Sequence, residues 1–417
     1  MGLYIHIPYC KSKCIYCDFY STPVVETMEQ YVRSMLCEAR LRKNECGESS
    51  PSKIEGAGGS MITQRQEETS SPSKIEGAGG SMITQRDDLI IPQFSTLYLG
   101  GGTPSVMPVE LLSALINGLS DIFDLSRVGE FTIEVNPDDV TREYVEQLRQ
   151  LGVNRVSMGV QSFNDGELRA INRRHSAQQA IDAARAIKEA GISNISIDLI
   201  YGLPGQTIDT WQHNVEQAIA LDVQHISAYN LSYEKGTRLW VMREQGKVQE
   251  VSDDDCIAMH DLLVKMLKEA GYEHYEISNF ARPGYRSHHN SSYWNFTPYL
   301  GLGAAAHSFD GSVRRYNPSN IKQYIEKLSN GTTAFIEEHL AWWERYDEEV
   351  MVRLRTSDGL DSRLIAQRYG YKVYDHLIKQ SQQFIEQGLL RASGDTIILT
   401  PSGVMLSDNI IRNLMWE

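Results

Sequence analysis

The chain lacks any apolar stretch long enough to cross a bilayer. Its first residues, MGLYIHIP, alternate like a strand and show no secretion signal. Cysteine is sparse, six in 417 residues, which excludes a disulfide framework and suits a reducing compartment, so a cytoplasmic location is expected. Positive charge is short as well: 40 Lys and Arg against 54 Asp and Glu leave a net −14. A nucleic-acid surface needs clustered basic residues, so nucleic acid is excluded as a main partner. The length suffices for one large domain and a smaller one.

What the chain does have is concentrated near its start. Cys10, Cys14 and Cys17 stand as C-x3-C-x2-C in LYIHIPYCKSKCIYCDFYS. Three thiolates on one short loop can ligate three irons of a cubane [4Fe–4S] cluster, leaving the fourth iron open to another ligand. Structural zinc would call for a fourth protein ligand nearby. Only Asp18 offers one, since His6 sits within the alternation of Leu3, Ile5 and Ile7. The residues favour the cluster; zinc and a redox disulfide remain as alternatives. Cys37, Cys46 and Cys256 have no ligand spacing.

One segment is foreign to the rest. SSPSKIEGAGGSMITQR at 49–65 recurs letter for letter at 70–86. Two copies without an apolar face do not make a solenoid. The Ser, Gly, Glu and Gln content cannot bury enough apolar surface to offset chain entropy. Residues 44–92 are therefore expected to be a mostly disordered surface insertion.

Outside it, strand-like runs at 3–8, 94–100, 130–136, 155–161, 195–202 and 225–232 alternate with helical patterns. These patterns cover about 26–43, 107–124, 141–151, 176–190 and 207–221, and Thr141, Ser176 and Thr207 are start signals for the last three. Six such units predict an α/β fold with a parallel sheet, too short for a closed eight-stranded barrel and so a partial one. Function in such sheets gathers at the C-terminal ends of the strands. The distinctive residues fall there: the cysteines, the GGGTPS run at 100–105, Glu134 and Asn136, Gln161 and Ser162, Arg173, and Asp198. A glycine run alone is usually a tight turn and a strand-end Glu is usually solvated. Several such features on one sheet edge are harder to dismiss.

Taken together, YIHIPYCKSKCIYCDF, LYLGGGTPS, EVNPDD, GVQSFND, INRRHS and DLIYGLPGQT resemble the anaerobic coproporphyrinogen III oxidase-like family of the radical S-adenosylmethionine superfamily. The resemblance implies a partial (β/α)6 TIM-like barrel over 1–250 and a smaller C-terminal α+β, winged-helix-like domain over 251–417. It implies Cys10, Cys14 and Cys17 as cluster ligands. It implies Tyr4, Tyr16, Gly101, Gly102, Thr103, Glu134, Gln161, Arg173 and Asp198 as S-adenosylmethionine contacts. The chemistry suits these roles: backbone atoms of 101–103 for the amino-acid moiety, Glu134 and Asp198 as acceptors for hydroxyl or ammonium groups, Arg173 for a carboxylate. Tyr16 would offer its backbone or ring face to the adenine. Without the resemblance, Tyr4 and Tyr16 read as packing residues.

Two departures separate the chain from the family's oxidases. Those carry a further Cys two residues after the third ligand, where this chain has Phe19. They also have an N-terminal extension, whereas here the cysteine loop starts at residue 10. Both departures match the heme-chaperone branch, as does SHHNSSYWNFTPYLGLGAAAHSFDG.

Within that string His289, Asn290, Tyr293 and Trp294 form H-N-x-x-Y-W. His is a common axial ligand of heme iron, and aromatic rings can cover a macrocycle. On the residues alone, His288, His289 and Trp294 read as packing at a domain junction; the resemblance turns His289 into a heme-ligand candidate and His307 into a weaker one. The tail from residue 342 reads as helices, a two-stranded wing around Gly394-Asp395 and a closing helix. It is not basic, so protein or peripheral membrane contact is expected there rather than DNA.

The resemblance thus implies a chaperone that binds a [4Fe–4S] cluster, S-adenosylmethionine and heme, and passes heme to an acceptor such as a respiratory protein. The alternative is a radical enzyme that draws an electron from a reductant and abstracts hydrogen from a tetrapyrrole. A third reading is a scaffold in which the cluster only stabilises the fold.

Overall fold

The computed structural model of the chain describes residues 1–43 and 93–416; the expected insertion at 44–92 lies outside the described residues. Six parallel strands form the body: β1 Gly2–Ile7, β2 Thr96–Gly101, β3 Glu130–Val135, β4 Arg155–Gln161, β5 Asn194–Tyr201 and β6 His225–Asn230. They lie side by side in chain order, each paired in parallel with the next. This is the partial barrel expected.

The helices between them begin where the sequence signals. Thr141, Ser176 and Thr207 accept the backbone N–H of Tyr144, Gln179 and Thr210 and start the helices Arg142–Gln150, Ala177–Glu189 and Ile208–Ala220. Each cap satisfies a donor that the first turn leaves without an intrahelical partner. The helices cover the outer face of the sheet, where Leu3, Ile5, Ile7, Val156, Met158, Ile195 and Ile197 are buried. Trp211, wholly buried, also donates its indole N–H to the Met259 carbonyl at 2.9 Å. Truncation to Ala there costs about 3–5 kcal/mol.

The sheet does not stop at the boundary expected near residue 250. Strands β7 Glu273–Glu276 and β8 Asn279–Ala281 extend it beyond β6. On the other edge β9 Tyr299–Leu302 pairs parallel with β1. Beyond it lie β10 His307–Phe309, β11 Val313–Tyr316 and β12 Ile336–His339, all antiparallel. The described residues thus give a twelve-stranded sheet. A buried polar knot holds the β9 edge to the first helix, Met28–Leu41. Glu38 accepts from Asn317, Tyr324 and the Gly303 amide, while Arg42 donates to Gly301 and Ser308. Every one of these partners lies beyond residue 300, so the knot ties the N-terminal helix to a late part of the chain.

A separate apolar cluster from Tyr346 to Leu414 marks the last unit. Its helices Trp342–Leu354, Ser362–Tyr369 and Tyr371–Glu386 precede a hairpin of β14 Leu390–Ser393 and β15 Thr396–Leu399. The hairpin turns at Gly394, φ +62°, as the wing predicts. A third short strand, β13 Leu360–Asp361, completes this sheet and has no clear signal in the sequence. No described helix is long and apolar enough to cross a membrane.

Candidate cofactor site

The three cysteines leave the C-terminal end of β1 on a loop that closes on itself. Cys10 N–H donates to the Thr22 carbonyl at 3.0 Å and Thr22 N–H returns to Pro8 at 2.7 Å. Ile15 is held through its backbone to Ile171 and Leu239. All three thiols are free and half-buried. No three His, Cys, Asp or Glu side chains among the described residues converge on a single metal ion. A cubane cluster does not require that, since it spreads its ligands over three irons. Burial pushes the Cys17 thiol up to about 11, so a cationic metal would have to offset that burial for the thiolate to form.

Glycines join this loop to β2. Gly102 N–H donates to Ile7 and Thr103 N–H to Tyr9, both at 2.8 Å. A Cβ on Gly102 would meet the backbone of Ile7, Pro8 and Tyr9 within 3.0 Å, and Gly101 has φ +109° against the His6 ring. The glycines are therefore needed for the second strand to lie against the cysteine loop, quite apart from any ligand. Thr103 Oγ1 lies 3.3 Å from Cys10 Sγ.

Glu134 ends β3 in the barrel lumen, accepting from Tyr98 O–H at 2.9 Å and Gly101 N–H at 3.1 Å. Burial raises its pKa to about 7 in spite of these bonds, and burial raises Asp198 to about 6. Arg173 bridges the top of the sheet, donating to Asn136 Oδ1 at 2.8 Å, to the Gly159 carbonyl, and to Cys14 Sγ at 3.5 Å. Its Nε–H has no protein partner although it is buried. Gln161 closes β4 at φ +68°, a conformation that costs a residue with a Cβ of order 1 kcal/mol or more. The next residues brace it: Ser162 O–H, Gln206 and Asn214 all donate to the buried Glu167 carboxylate.

These residues line one cavity of about 470 Å³. It brings together Cys10, Cys14, Cys17, Tyr16, Gly101, Gly102, Thr103, Glu134, Gln161, Arg173 and Asp198. A donor set of three thiols beside an uncommitted guanidinium N–H and two carboxylates fits a cluster with an amino-acid-bearing ligand. The same cavity includes Ser157, Tyr229, Asn230 and Glu234, which the sequence reading missed. The last three follow or end β6, and the rule that function gathers at strand ends would have found them.

Two of the expected residues lie elsewhere. Tyr4 does not line this cavity but a second one, which shares Glu134 and Tyr229 with it, and is bonded to His6 Nδ1 at 3.0 Å. His289 sits at the opposite, N-terminal end of the barrel. Its Nδ1 is 2.8 Å from Thr96 Oγ1 and its Nε2 is 2.9 Å from Tyr293 O–H. The side chain is 1 % exposed, and burial pushes its pKa down to about 3. Glu130, the first residue of β3, accepts the N–H groups of His288 and His289 and seats the helix His288–Trp294 there. His289, Tyr293 and Trp294 wall that second cavity of about 640 Å³, also lined by Arg355 and Asp408 of the last unit. His288 and His307 are exposed.

Comparison with known proteins agrees with this geometry. Residues 87–218 match the radical SAM superfamily and residues 340–406 the HemN C-terminal domain. The heme chaperone HemW of Bacillus subtilis is 30% identical over 421 residues, covering 99% of both chains. HemW of Mycobacterium tuberculosis is 30% identical, covering 99% of this chain and 94% of its own. Among solved structures, Escherichia coli coproporphyrinogen III oxidase, HemN, covers 99% of this chain and 89% of its own at 22% identity and a TM-score of 0.77, which speaks for the fold. The chain belongs to the HemW family of radical SAM proteins.

Proposed function

We propose that the protein is a cytoplasmic heme chaperone, holding a [4Fe–4S] cluster and S-adenosylmethionine in the barrel mouth and passing heme to an acceptor protein. The observation that carries this reading is the similarity, along the whole length, to relatives named heme chaperones. Phe19 adds to it: where the oxidases carry a further Cys, this chain presents an apolar ring, 65% exposed, at the rim of the cavity.

Cys10, Cys14 and Cys17 would hold the cluster, which supplies one-electron chemistry and an open iron position. Around it the chain positions its ligand. Arg173 would direct its unpartnered Nε–H at a carboxylate. Glu134 and Asp198 would accept from hydroxyl or ammonium groups once ionised, and Gly101 to Thr103 present backbone close to the thiols. Tyr16 would cover the adenine. Tyr4, bonded to His6, would act on this site only through the lumen.

Heme is placed at the second cavity, whose wall contains the H-N-x-x-Y-W residues. His289 can ligate iron only if one ring nitrogen gives up its partner, Tyr293 at Nε2 or Thr96 at Nδ1, while the other keeps its bond. The competing reading, favoured by those two bonds, is that His289 packs the junction. After anaerobic reconstitution with iron and sulfide, heme titration should give a saturable Soret shift at one heme per chain. Loss of that shift in His289→Ala supports ligation; an unchanged affinity assigns the residue to the junction. Absence of heme binding beside an intact cluster, with turnover-dependent 5′-deoxyadenosine, would establish the radical-enzyme alternative.

A further inference from the structure

The lumen of this barrel is polar where barrel interiors are usually filled by branched aliphatic side chains. In β4 the alternation sends Val156, Met158 and Val160 to the helix-covered core. The opposite face carries Arg155 and Ser157. Arg155 pairs in register with Thr132 of β3 and Asn194 of β5, and it is 1 % exposed. Its Nε and Nη1 have no hydrogen-bond partner. A guanidinium does not shed its proton, and an unbalanced buried charge is strongly unfavourable. Something in the lumen must balance it through space.

The groups that feel this charge come from every neighbouring element: Tyr98 on β2, Glu134 on β3, Asp198 on β5, His225 on β6, Tyr275 on β7 and His289 on the helix below. Burial keeps both tyrosines protonated and both histidines neutral. Of the groups just named, only Glu134 and Asp198 can carry negative charge, and they stand one and two steps further along the same face of β4, opposite Ser157 and Gly159. Glu130 on β3 is engaged by Ser287, His288 and His289, and Glu276 on β7 by Ser278 and Asn279. Glu134 and Asp198 also disfavour each other's ionisation, since Asp198 raises Glu134. Arg173, the other cation near Asp198, also favours its ionised form, but it acts from the mouth, where it donates to Asn136, Gly159 and Cys14.

We propose that Arg155 is a positioning residue of the S-adenosylmethionine site: its buried charge favours the ionised forms of Glu134 and Asp198, so that both can present acceptors to the ligand's hydroxyl and ammonium groups. Arg155 lines neither of the two cavities and acts only through the carboxylates. The inference rests on reading the mouth cavity as the S-adenosylmethionine site, and its test has one arm that needs no ligand.

That arm compares the full chain with Arg155→Met, with Glu134→Gln/Asp198→Asn, and with the triple variant, by urea unfolding near pH 6 and near pH 8. Mutual charge balance predicts strong non-additivity. The triple variant should be more stable than the sum of its parts, with the gap wider at the higher pH, where the carboxylates are ionised. If Arg155→Met does not fold alone, a folded triple variant still supports the proposal. Additive effects at both pH values overturn it, as does a triple variant that also fails to fold, since the arginine is then needed for packing alone.

The second arm measures S-adenosylmethionine affinity of the reconstituted protein against pH by equilibrium dialysis. Arg155→Met should weaken binding by about tenfold near neutral pH and move the rise in affinity about one unit higher, with Arg155→Lys restoring most of both. An unmoved pH profile in a folded Arg155→Met overturns the positioning role. No binding to the unaltered protein, beside a non-additive stability cycle, would sink the ligand assignment while leaving the charge pairing in place.

Discussion

The two ends of the barrel are built from the same strands and solve opposite problems. At the N-terminal end, Glu130 takes two backbone N–H groups, and His289 has a partner on each ring nitrogen. At the C-terminal end the groups are left ready. Three thiols are free, Arg173 keeps a buried N–H without a partner, Gln161 holds a left-handed backbone, and Glu134 is pushed up to about 7. Native proteins leave such groups unsatisfied or strained where a ligand completes them. The contrast separates Glu130 and His289 from the mouth residues, while Arg155 and Trp294, whose buried N–H groups also lack partners, stand outside it. Charge alone does not separate the two ends, since Glu130 and Glu134 lie four residues apart on one strand.

The sharpest break in the comparison comes from the thiols. Cys14→Ser removes one of three cluster ligands and should abolish the cluster, read as loss of bound iron and of visible absorbance after reconstitution. The fold should survive, because Cys14 is half-buried on a loop whose backbone is held independently and its Sγ makes a long contact with Arg173 at 3.5 Å. A variant that retains a full complement of iron would refute the ligand assignment. At the other end, Glu130→Ala should do the reverse. It strands buried donors at the start of the helix His288–Trp294 and should cost roughly 2–3 kcal/mol of stability. Cluster assembly should be unchanged at a temperature where the variant is folded. Loss of cluster without loss of stability would show that the two ends are not separable.

Acid–base behaviour gives a finer distinction. Glu134 moves from 4.5 to about 7 and Asp198 from 3.8 to about 6, each chiefly through burial. Both folded values lie above the unfolded ones, so folding binds protons here. The associated stability is fully present below about pH 4 and is lost as pH rises through 6 to 7. Glu134→Gln should therefore flatten the fall in stability of the cofactor-free protein between about pH 5 and 8, and at the same time weaken S-adenosylmethionine binding. An unaltered pH slope would place the Glu134 titration outside that range.

Much of this architecture is legible in the residues. Apolar alternation marks the six strands, and Thr141, Ser176 and Thr207 cap the helices they announce. The cavity-lining set is recoverable because those residues end strands of a parallel sheet. What escaped depends on tertiary closure. Strands β9 to β12 are only three or four residues long. The buried Glu38–Arg42 knot holds β9 and β10 through Gly301 and Ser308. The glycines at 100–102 suggest a ligand, yet the nearest obstacles to a Cβ are protein atoms. Gln161 gives no sign of its positive φ, since a side-chain-bearing residue does not advertise it as glycine does. Nothing in the residue pattern singles out Arg155, whose burial shows only in the fold.

The smallest effect is expected from the repeat-bearing segment. Deleting 49–86 removes both copies of the 17-residue sequence, which lie outside the described residues. Its flanks are independently anchored: Arg42 is buried and hydrogen-bonded to Gly301 and Ser308, and Phe94 packs on Phe123 within the core. Neither anchor involves the cofactor cavity. The shortened chain should therefore take up iron, S-adenosylmethionine and heme with unchanged stoichiometry, and stability should move by well under about 1 kcal/mol, since shortening a long loop alters closure entropy only slowly. Loss of heme with the cluster retained would make the segment part of the N-terminal-end machinery; loss of the cluster would tie it to the mouth. Either result would replace the two-ended division with one in which the insertion completes a site.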